Sequence, residues 1–220
     1  MARFTFISDT HAEWWHLRKL INKANRKFQP ELIIQLGDIG MGFHKNDSDR
    51  RFVENFRFIR GNHDDPAVCR AHPAYLGDYG YLEKEKIFYL SGAESVDQRE
   101  RIMGIDWWQD EQLSMPELQA AIDMCVEVQP EIIISHDAPI SLYQNLTKGT
   151  IYSNGEGSNR TATALQTLFE QWQPKWWIFG HHHRLFRKEI NGTKFICVPV
   201  AQMLNLDTSK NVDSKVDYTI

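Results

Sequence analysis

Hydrophobic runs recur along this chain in one arrangement. "QPELIIQLGD" spans residues 29–38, "QPEIIISHD" spans 129–137 and "QPKWWIFGHH" spans 173–182. Each opens with Gln-Pro and a charged residue, continues through a short apolar run, and closes on a residue able to bind a metal. Proline opens a strand readily but does not sit inside a central one. The runs "LIIQL", "IIIS" and "WWIF" do not alternate cleanly with polar residues, which is the pattern of strands covered on both faces. A helical pattern precedes each run. Its apolar positions are Trp14, Trp15, Leu17, Leu20, Ile21, Ala24 and Phe28 over 12–28. Over 114–128 they are Leu118, Ala121, Ile122, Cys125 and Val126, and over 161–172 they are Leu165, Leu168, Phe169 and Trp172. Ser114 with Glu117 gives the second helix a capping box. Helix, Gln-Pro, buried strand is the rhythm of an α/β protein. The unequal spacing of the three segments and their different flanks exclude an internal repeat.

Further strands are expected at "RFTFIS" (3–8), "FRFIR" (56–60), "KIFYLSG" (86–92) and "ERIMGI" (100–105). Residues 184–198 read as a hairpin turned by Asn191-Gly192, a pair suited to a type I′ turn. The stretch 143–160 has the length of a functional or mobile loop. From Asn205 the chain is polar, so the expected domain is 1–204 with a loosely packed tail over 205–220. A length of 220 residues fits a single domain, and no boundary interrupts it.

Composition narrows the function classes. A net charge of −4 with no long run of like charge leaves no basic footprint for tracking nucleic acid. Bound cations would change the local sign, so nucleic acid in a groove stays open. Cys69, Cys125 and Cys197 form no CxxC and are expected to be buried free thiols in a reducing compartment. No apolar stretch reaches membrane-span length, and the apolar part of "MARFTFISDTH" is too short for a signal peptide. The expectation is a cytoplasmic protein with no membrane partner.

The polar residues at the strand ends carry the chemistry. In open α/β sheets ligands bind outside the carboxyl ends of the strands. Five such ends would bring together "DTH" (Asp9, His11), "GD" (Asp38), "GNHD" (Asn62, His63, Asp64), "SHD" (His136) and "GHHH" (His181, His182, His183). Imidazole nitrogen with carboxylate oxygen suits Mn, Fe, Zn or Ni. The donors are too many for one tetrahedral zinc and suit two ions sharing a bridging carboxylate. Along an extended chain Asp9 and His11 would point the same way, as would His181 and His183, with His182 turned aside.

This ordered set resembles the calcineurin-like metallophosphoesterase family over about 9–183. "GAESVDQRERIMGIDWWQDE" is fainter and is similar to single-domain bacterial and phage members. The resemblance implies an α/β fold, a four-layer α/β/β/α sandwich of two packed mixed β-sheets flanked by helices. It implies two divalent ions, with manganese expected to support activity in vitro. One ion would take Asp9, His11 and His183, and the other Asn62, His136 and His181, with Asp38 bridging. His63 would be the non-ligand facing the substrate, either protonating the leaving oxygen or holding transition-state charge. Asp64 would either orient His63 or cap a loop. The implied reaction is hydrolysis of a phosphomonoester or phosphodiester by metal-activated water. A small molecule or nucleotide is a better-suited substrate than a protein. The text "GDIGMGFHKN" lacks the arginine of the protein-phosphatase grip, which argues against a protein Ser/Thr phosphatase.

The competing classes are another metallohydrolase and a non-catalytic metal-binding scaffold. "HHHRLF" lacks the metallo-β-lactamase pattern, and an HD-type enzyme would be mainly helical. His16, His44 and His72 belong to no motif. Arg50, Arg51, Arg57 and Arg60 could grip phosphate, Arg60 being equally suited to a structural pair. Trp107 and Trp108 suit packing better than a cleft wall, and Asp106, Asp110 and Glu111 suit a solvated acidic turn.

Overall fold

In the computed structural model, which describes residues 2–42, 47, 50–146 and 159–208, the Gln-Pro segments do what their pattern predicts. Helix α1 (Trp14–Lys27) follows strand β1 (Arg3–Ile7) and leads into β2 (Leu32–Leu36). Next come β3 (Phe56–Ile59), α2 (Pro66–Ala71), β4 (Tyr79–Leu82) and β5 (Ile87–Leu90). Helix α3 (Met115–Val128) leads into β6 (Ile132–Ser135); α4 (Tyr143–Leu146) and α5 (Arg160–Gln171) lead into β7 (Trp176–Phe179). The chain closes with β8 (Phe186–Ile190), β9 (Thr193–Cys197) and β10 (Met203–Asp207).

Two mixed sheets result. One runs β10-β1-β2-β3, with β10 antiparallel and the rest parallel. The other runs β4-β5-β6-β7-β9-β8, parallel in its middle and antiparallel at both edges. Strand alternation divides the core into three layers. Phe4, Phe6, Ile34, Leu36, Ile132, Ile134, Trp176 and Ile178 meet between the sheets. Ile7, Ile33, Phe56 and Phe58 face the other way and pack on Leu17, Leu20, Ile21 and Ala24 of α1. Phe88, Ile133, Trp177 and Phe195 pack on α3 and α5 through Leu118, Ile122, Leu165 and Leu168. This is the four-layer sandwich. Strands covered on both faces need no polar alternation, which explains the unbroken apolar runs.

Local chemistry sets the element ends. Ser114 donates its backbone N–H and its hydroxyl to Glu117 Oε2 at 2.8 and 2.6 Å, closing the capping box. Asn159 accepts from the Ala162 N–H at 2.8 Å and caps α5. Asn191 and Gly192 both have positive φ, as a type I′ turn requires. Cys69, Cys125 and Cys197 are buried and free. Among the described residues no helix is long and apolar enough to cross a membrane.

Two expectations are corrected. Residues 100–105 are not a strand. A 3₁₀ turn covers Gln98–Glu100, the Ile102 N–H donates to Asp106 Oδ1 at 2.5 Å, and Gly104 takes φ +80°. Asp106 captures the backbone that a ladder would have used, and Ile102, Met103 and Ile105 stay exposed. The tail does not begin at Asn205 either. Asn205 lies inside β10, pairs with Thr5, and accepts from the Thr5 hydroxyl at 2.7 Å. Flanking Leu204 and Leu206 are buried between the sheets, so a polar residue with a buried partner continues the strand. Of the 143–160 stretch, residues 143–146 form α4 and 159–160 begin α5, while 147–158 lie outside the described residues.

Gln29 and Gln129 show why Gln-Pro works as punctuation. They follow α1 and α3 with φ of 52° and 48°, the left-handed turn that ends a helix, and the proline prevents its resumption. That conformation costs a non-glycine residue about 1–2 kcal/mol, partly offset by the greater unfolded-state freedom of glycine. Gln129→Gly is therefore expected to stabilise the fold by about 0.5–1 kcal/mol, read as a raised thermal midpoint; a lowered midpoint would refute this reading of the turn.

Candidate metal centre

Strands β1, β2 and β3 run parallel, as do β6 and β7, so their carboxyl ends reach one rim. All five motifs sit there. The chain does not carry their side chains inward by extended alternation, however. Asp9, His11, Asp38, His181 and His183 have φ of 43°, 43°, 53°, 62° and 52°. Left-handed backbone is sparsely populated outside glycine, with Asp and His among its more tolerant residues. Here it turns each strand end sharply enough to aim successive polar groups at one point. His182 is turned aside, as expected: its Nε2 lies 3.3 Å from Asp137 Oδ1 and its ring packs edge-on against Tyr143.

Two groups of donors converge, each able to hold a cation. Asp9, His11, Asp38 and His183 offer one set of atoms within 4.8 Å of one another; Asp38, His136 and His181 offer a second. His11 Nε2 and His183 Nε2 are 3.1 Å apart, and His183 Nε2 is 3.4 Å from Asp9 Oδ1. His136 donates its Nδ1–H to the Leu36 carbonyl at 2.7 Å. Its Nε2 then faces Asp38 Oδ1 at 3.3 Å and Asn62 Oδ1 at 3.2 Å. The Asn62 amide donates to Ser95 Oγ at 3.2 Å, which leaves its oxygen for the site. Asp9 accepts from the Ser8 hydroxyl and from the His181 N–H at 3.1 Å. Oxygen and imidazole donors in two sets that share a buried carboxylate fit divalent ions of the Mn, Fe, Zn or Ni type.

The charges respond to this crowding. Burial alone would raise the Asp38 carboxyl, yet His136 beside it holds it well below the usual range. Burial likewise opposes a lowered Asp9, whose carboxyl is held down by the His183 hydrogen bond. Burial would lower the His136 imidazole, but Asp38 pushes it up to about 10. His181 lacks such a close partner, and burial takes it down to about 4.

Glycine and Asp64 make the approach feasible. A Cβ on Gly37 would lie 2.3 Å from His136 Nδ1, and one on Gly180 would lie 2.6 Å from Asp9 Oδ2. Asp64 is a loop cap, the second of its two expected roles. Fully buried, it accepts from the N–H groups of Gly61, Gly40, Met41 and Ile39 at 2.8, 2.7, 3.0 and 3.3 Å. It thereby fixes the loop after β2 against the loop after β3.

His63 faces a cavity of about 200 Å³ whose lining includes Asp38, Asn62, Arg101, Tyr143 and His181. Burial lowers its imidazole; Arg101 adds to that and Asp38 opposes it. No sequence motif singled out Arg101, which lies in the stretch expected to be a strand. Asp137 was missed as well; it accepts from Tyr143 at 2.6 Å and from Asn159 at 3.1 Å behind the histidine-rich turn. The expected phosphate grips lie elsewhere. Arg60 is buried, bonded to Asp78 at 2.8 Å and to the Glu111 carbonyl at 2.6 Å. Arg50 pairs with Asp47, Arg57 donates to the Glu54 and Phe56 carbonyls, and Arg51 is exposed. Glu111 is not solvated: it is buried and accepts from the Ser95 N–H and hydroxyl at 2.8 and 2.5 Å. His16 and His72 donate to the Ala201 and Arg50 carbonyls, and His44 lies outside the described residues.

Gly61 provides the sharpest local test. A Cβ there would lie 2.1 Å from Asp38 Oδ1 and 2.5 Å from His136 Nε2. Its φ is not left-handed, so alanine meets no φ penalty and the clash falls on the two donors and on the Asp38 backbone N, 2.6 Å away. Gly61→Ala is expected to keep the circular dichroism spectrum while bound metal, counted by elemental analysis, drops well below wild type. Full metal content in the variant would refute the packing argument.

Comparison with known proteins agrees with this geometry. Over 84 residues the chain is 32% identical to the metallophosphoesterase 1 homolog of Drosophila melanogaster, covering 37% of this chain and 22% of that protein. A Staphylococcus aureus structure, named as a 5′-nucleotidase in complex with alpha-ketoglutarate, superposes with a TM-score of 0.56 at 15% identity. The match takes in 94% of this chain and 51% of that one, so the chain spans about half the length of that neighbour. Another solved structure superposes with a TM-score of 0.60 at 13% identity, over 99% of this chain and 98% of its own. These likenesses establish the fold. The model of the calcineurin-like phosphoesterase family matches residues 2–185, so that all five strand-end motifs fall inside it, and the chain belongs to that family.

Proposed function

We propose that the protein is a dinuclear-metal-dependent phosphoesterase that hydrolyses phosphomonoester or phosphodiester bonds. The observation that carries this reading is the position of Asp38, whose carboxylate belongs to both donor groups. Asp9, His11 and His183 would hold one ion with it, and His136, His181 and the Asn62 oxygen the other. When bound, two such ions supply Lewis acidity toward a phosphoryl oxygen and lower the pKa of water. Asn62 is a neutral donor, which limits negative charge where an anionic substrate must sit. His63 faces that place from outside both groups. Its neutral ring has one N–H to give to a leaving oxygen and one lone pair to accept with. Val96, Leu146 and Tyr143 line the same cavity and suit the organic part of a small phosphoester better than a protein surface.

A screen of the manganese-loaded protein tests this. The substrates are bis-p-nitrophenyl phosphate, p-nitrophenyl phosphate, nucleotides and oligonucleotides, with Asp38→Asn run alongside. Turnover by the wild type is expected, together with loss of both ions and of activity in the variant. A wild type that binds two ions and turns over nothing would favour the non-catalytic scaffold.

Metal affinity should also depend on pH with a set slope. Asp38 keeps His136 protonated across pH 6–8, since its pKa is pushed up to about 10. An imidazole must be neutral to ligate, so binding expels that proton throughout this window. Affinity at that position should rise about tenfold per pH unit from 6 to 8. Manganese titrations at pH 6, 7 and 8 check this. A plateau above pH 7 would mean that His136 was already neutral.

A further inference from the structure

We propose that Arg101 is a phosphoryl-binding residue of this site, an inference that rests on the phosphoesterase reading. It supplies the cationic grip that the motif after β2 lacks, and supplies it from a different loop. That loop leaves β5 and returns to α3 over residues 91–114. Its base is buried and pinned. The Gly92 N–H donates to the Arg60 carbonyl at 2.8 Å, and Arg60 donates onward to the Glu111 carbonyl. The Glu111 carboxylate holds Ser95, and Ser95 accepts from the Asn62 amide. The loop that carries Arg101 is thus tied to a candidate ligand by the Asn62–Ser95 hydrogen bond, which Glu111 backs from within the loop.

The guanidinium itself is aimed. Asp97 accepts from Nε at 2.7 Å and from NH2 at 2.9 Å, a two-point pair that fixes the guanidinium plane. NH1 donates to the Asp106 carbonyl at 3.1 Å. The remaining donors face His63, with NH1 3.1 Å from Nδ1 and NH2 2.7 Å from Nε2. A neutral imidazole has a single lone pair, so it cannot accept from both. One guanidinium N–H therefore lacks an acceptor on the His63 side, and Arg101 lines the same cavity as Asp38, Asn62 and His181, where the phosphoryl group of a substrate would lie.

Charge points the same way. Asp97 is 46% exposed, so solvent screens its carboxylate and it neutralises Arg101 only in part. Arg60 does not line the cavity and is held by Asp78 and the Glu111 carbonyl, while Arg184, which does line it, has NH1 directed to the Leu146 carbonyl. The one spare N–H of a permanently charged guanidinium suits a single oxygen of a phosphoryl group.

Inorganic phosphate serves as the probe, its affinity for the manganese-loaded protein being measured by calorimetry. Arg101→Met should weaken binding about 10- to 100-fold, the value of a hydrogen bond to a charged group, with the manganese count unchanged. Arg101→Lys, which keeps charge but loses the two-point geometry, should fall between. The loss should persist in a His63→Ala background, because the contact is direct. Unchanged affinity at full metal content would overturn the proposal. So would a loss that disappears once His63 is removed, since Arg101 would then act only by positioning that ring. Should the methionine variant fail to fold, Arg101→Gln keeps a donor for Asp97 and answers the same question by the same loss or its absence. Phosphate binding needs no turnover. A protein that binds phosphate through Arg101 but hydrolyses no ester would sink the phosphoesterase reading and leave this one standing.

Discussion

Burying two carboxylates within one rim is the constraint around which this molecule is arranged. Asp9 and Asp38 are 0% and 1% exposed, and the charge of Asp38 works to raise the pKa of Asp9. Such a pair is costly unless positive charge and hydrogen-bond donors surround it. The imidazoles of His136 and His183 supply part of that charge, and the backbone N–H groups of His181 and His63 supply donors. Divalent cations would supply the rest. Cation binding would therefore stabilise the site, because any ligand that binds only the folded state adds to its stability.

Meeting the constraint shapes the backbone. Five of the candidate ligands occupy left-handed φ, a conformation that costs about 1–2 kcal/mol at a residue with a side chain. Such turns persist only where the surroundings over-determine them. The surroundings here are two sheets packed face to face through Phe4, Phe6, Ile34, Ile134 and Ile178, which hold the strand ends in register. Asp64 then locks two of the turns together through four backbone N–H groups. The glycines of "GD", "GNHD" and "GHHH" are the complement of this crowding: each stands where a Cβ would strike a donor atom.

Much of this was legible in the sequence because it depends on periodicity and on residue type. The helices preceding each Gln-Pro, the buried strands after it, and the convergence of Asp9, His11, Asp38, Asn62, His136, His181 and His183 follow from patterns a few residues long. Two kinds of feature were not legible. β10 was hidden by Asn205, whose buried partner Thr5 lies 200 positions away. The false strand at 100–105 had a fair apolar pattern but no neighbouring strand to pair with, and Asp106 took the backbone instead. The inward aim of Asp9 and His11 was expected for the wrong reason, since extended alternation and a left-handed turn both place two nearby side chains together.

The arginines show where local pattern stops being informative. Arg60 adjoins "GNHD" and suited a structural pair and a phosphate grip equally, while Arg101, some forty positions further on, carried no expectation. Packing separates them. Arg60 is aimed away from the rim by Asp78 and holds the loop base through the Glu111 carbonyl. Arg101 is aimed toward the cavity by Asp97 and meets His63. Each guanidinium is positioned by one carboxylate distant from the ligand motifs, and the two are linked, because Arg60 supports the base of the loop on which Arg101 stands. In the proposed site the motif would specify which atoms bind metal and leave the substrate's remaining charge to a loop whose anchoring is set elsewhere in the fold. With Arg101 acting as proposed, that separation would let one rim accommodate different phosphoesters as the loop changes, and would place selectivity in residues the motif does not contain.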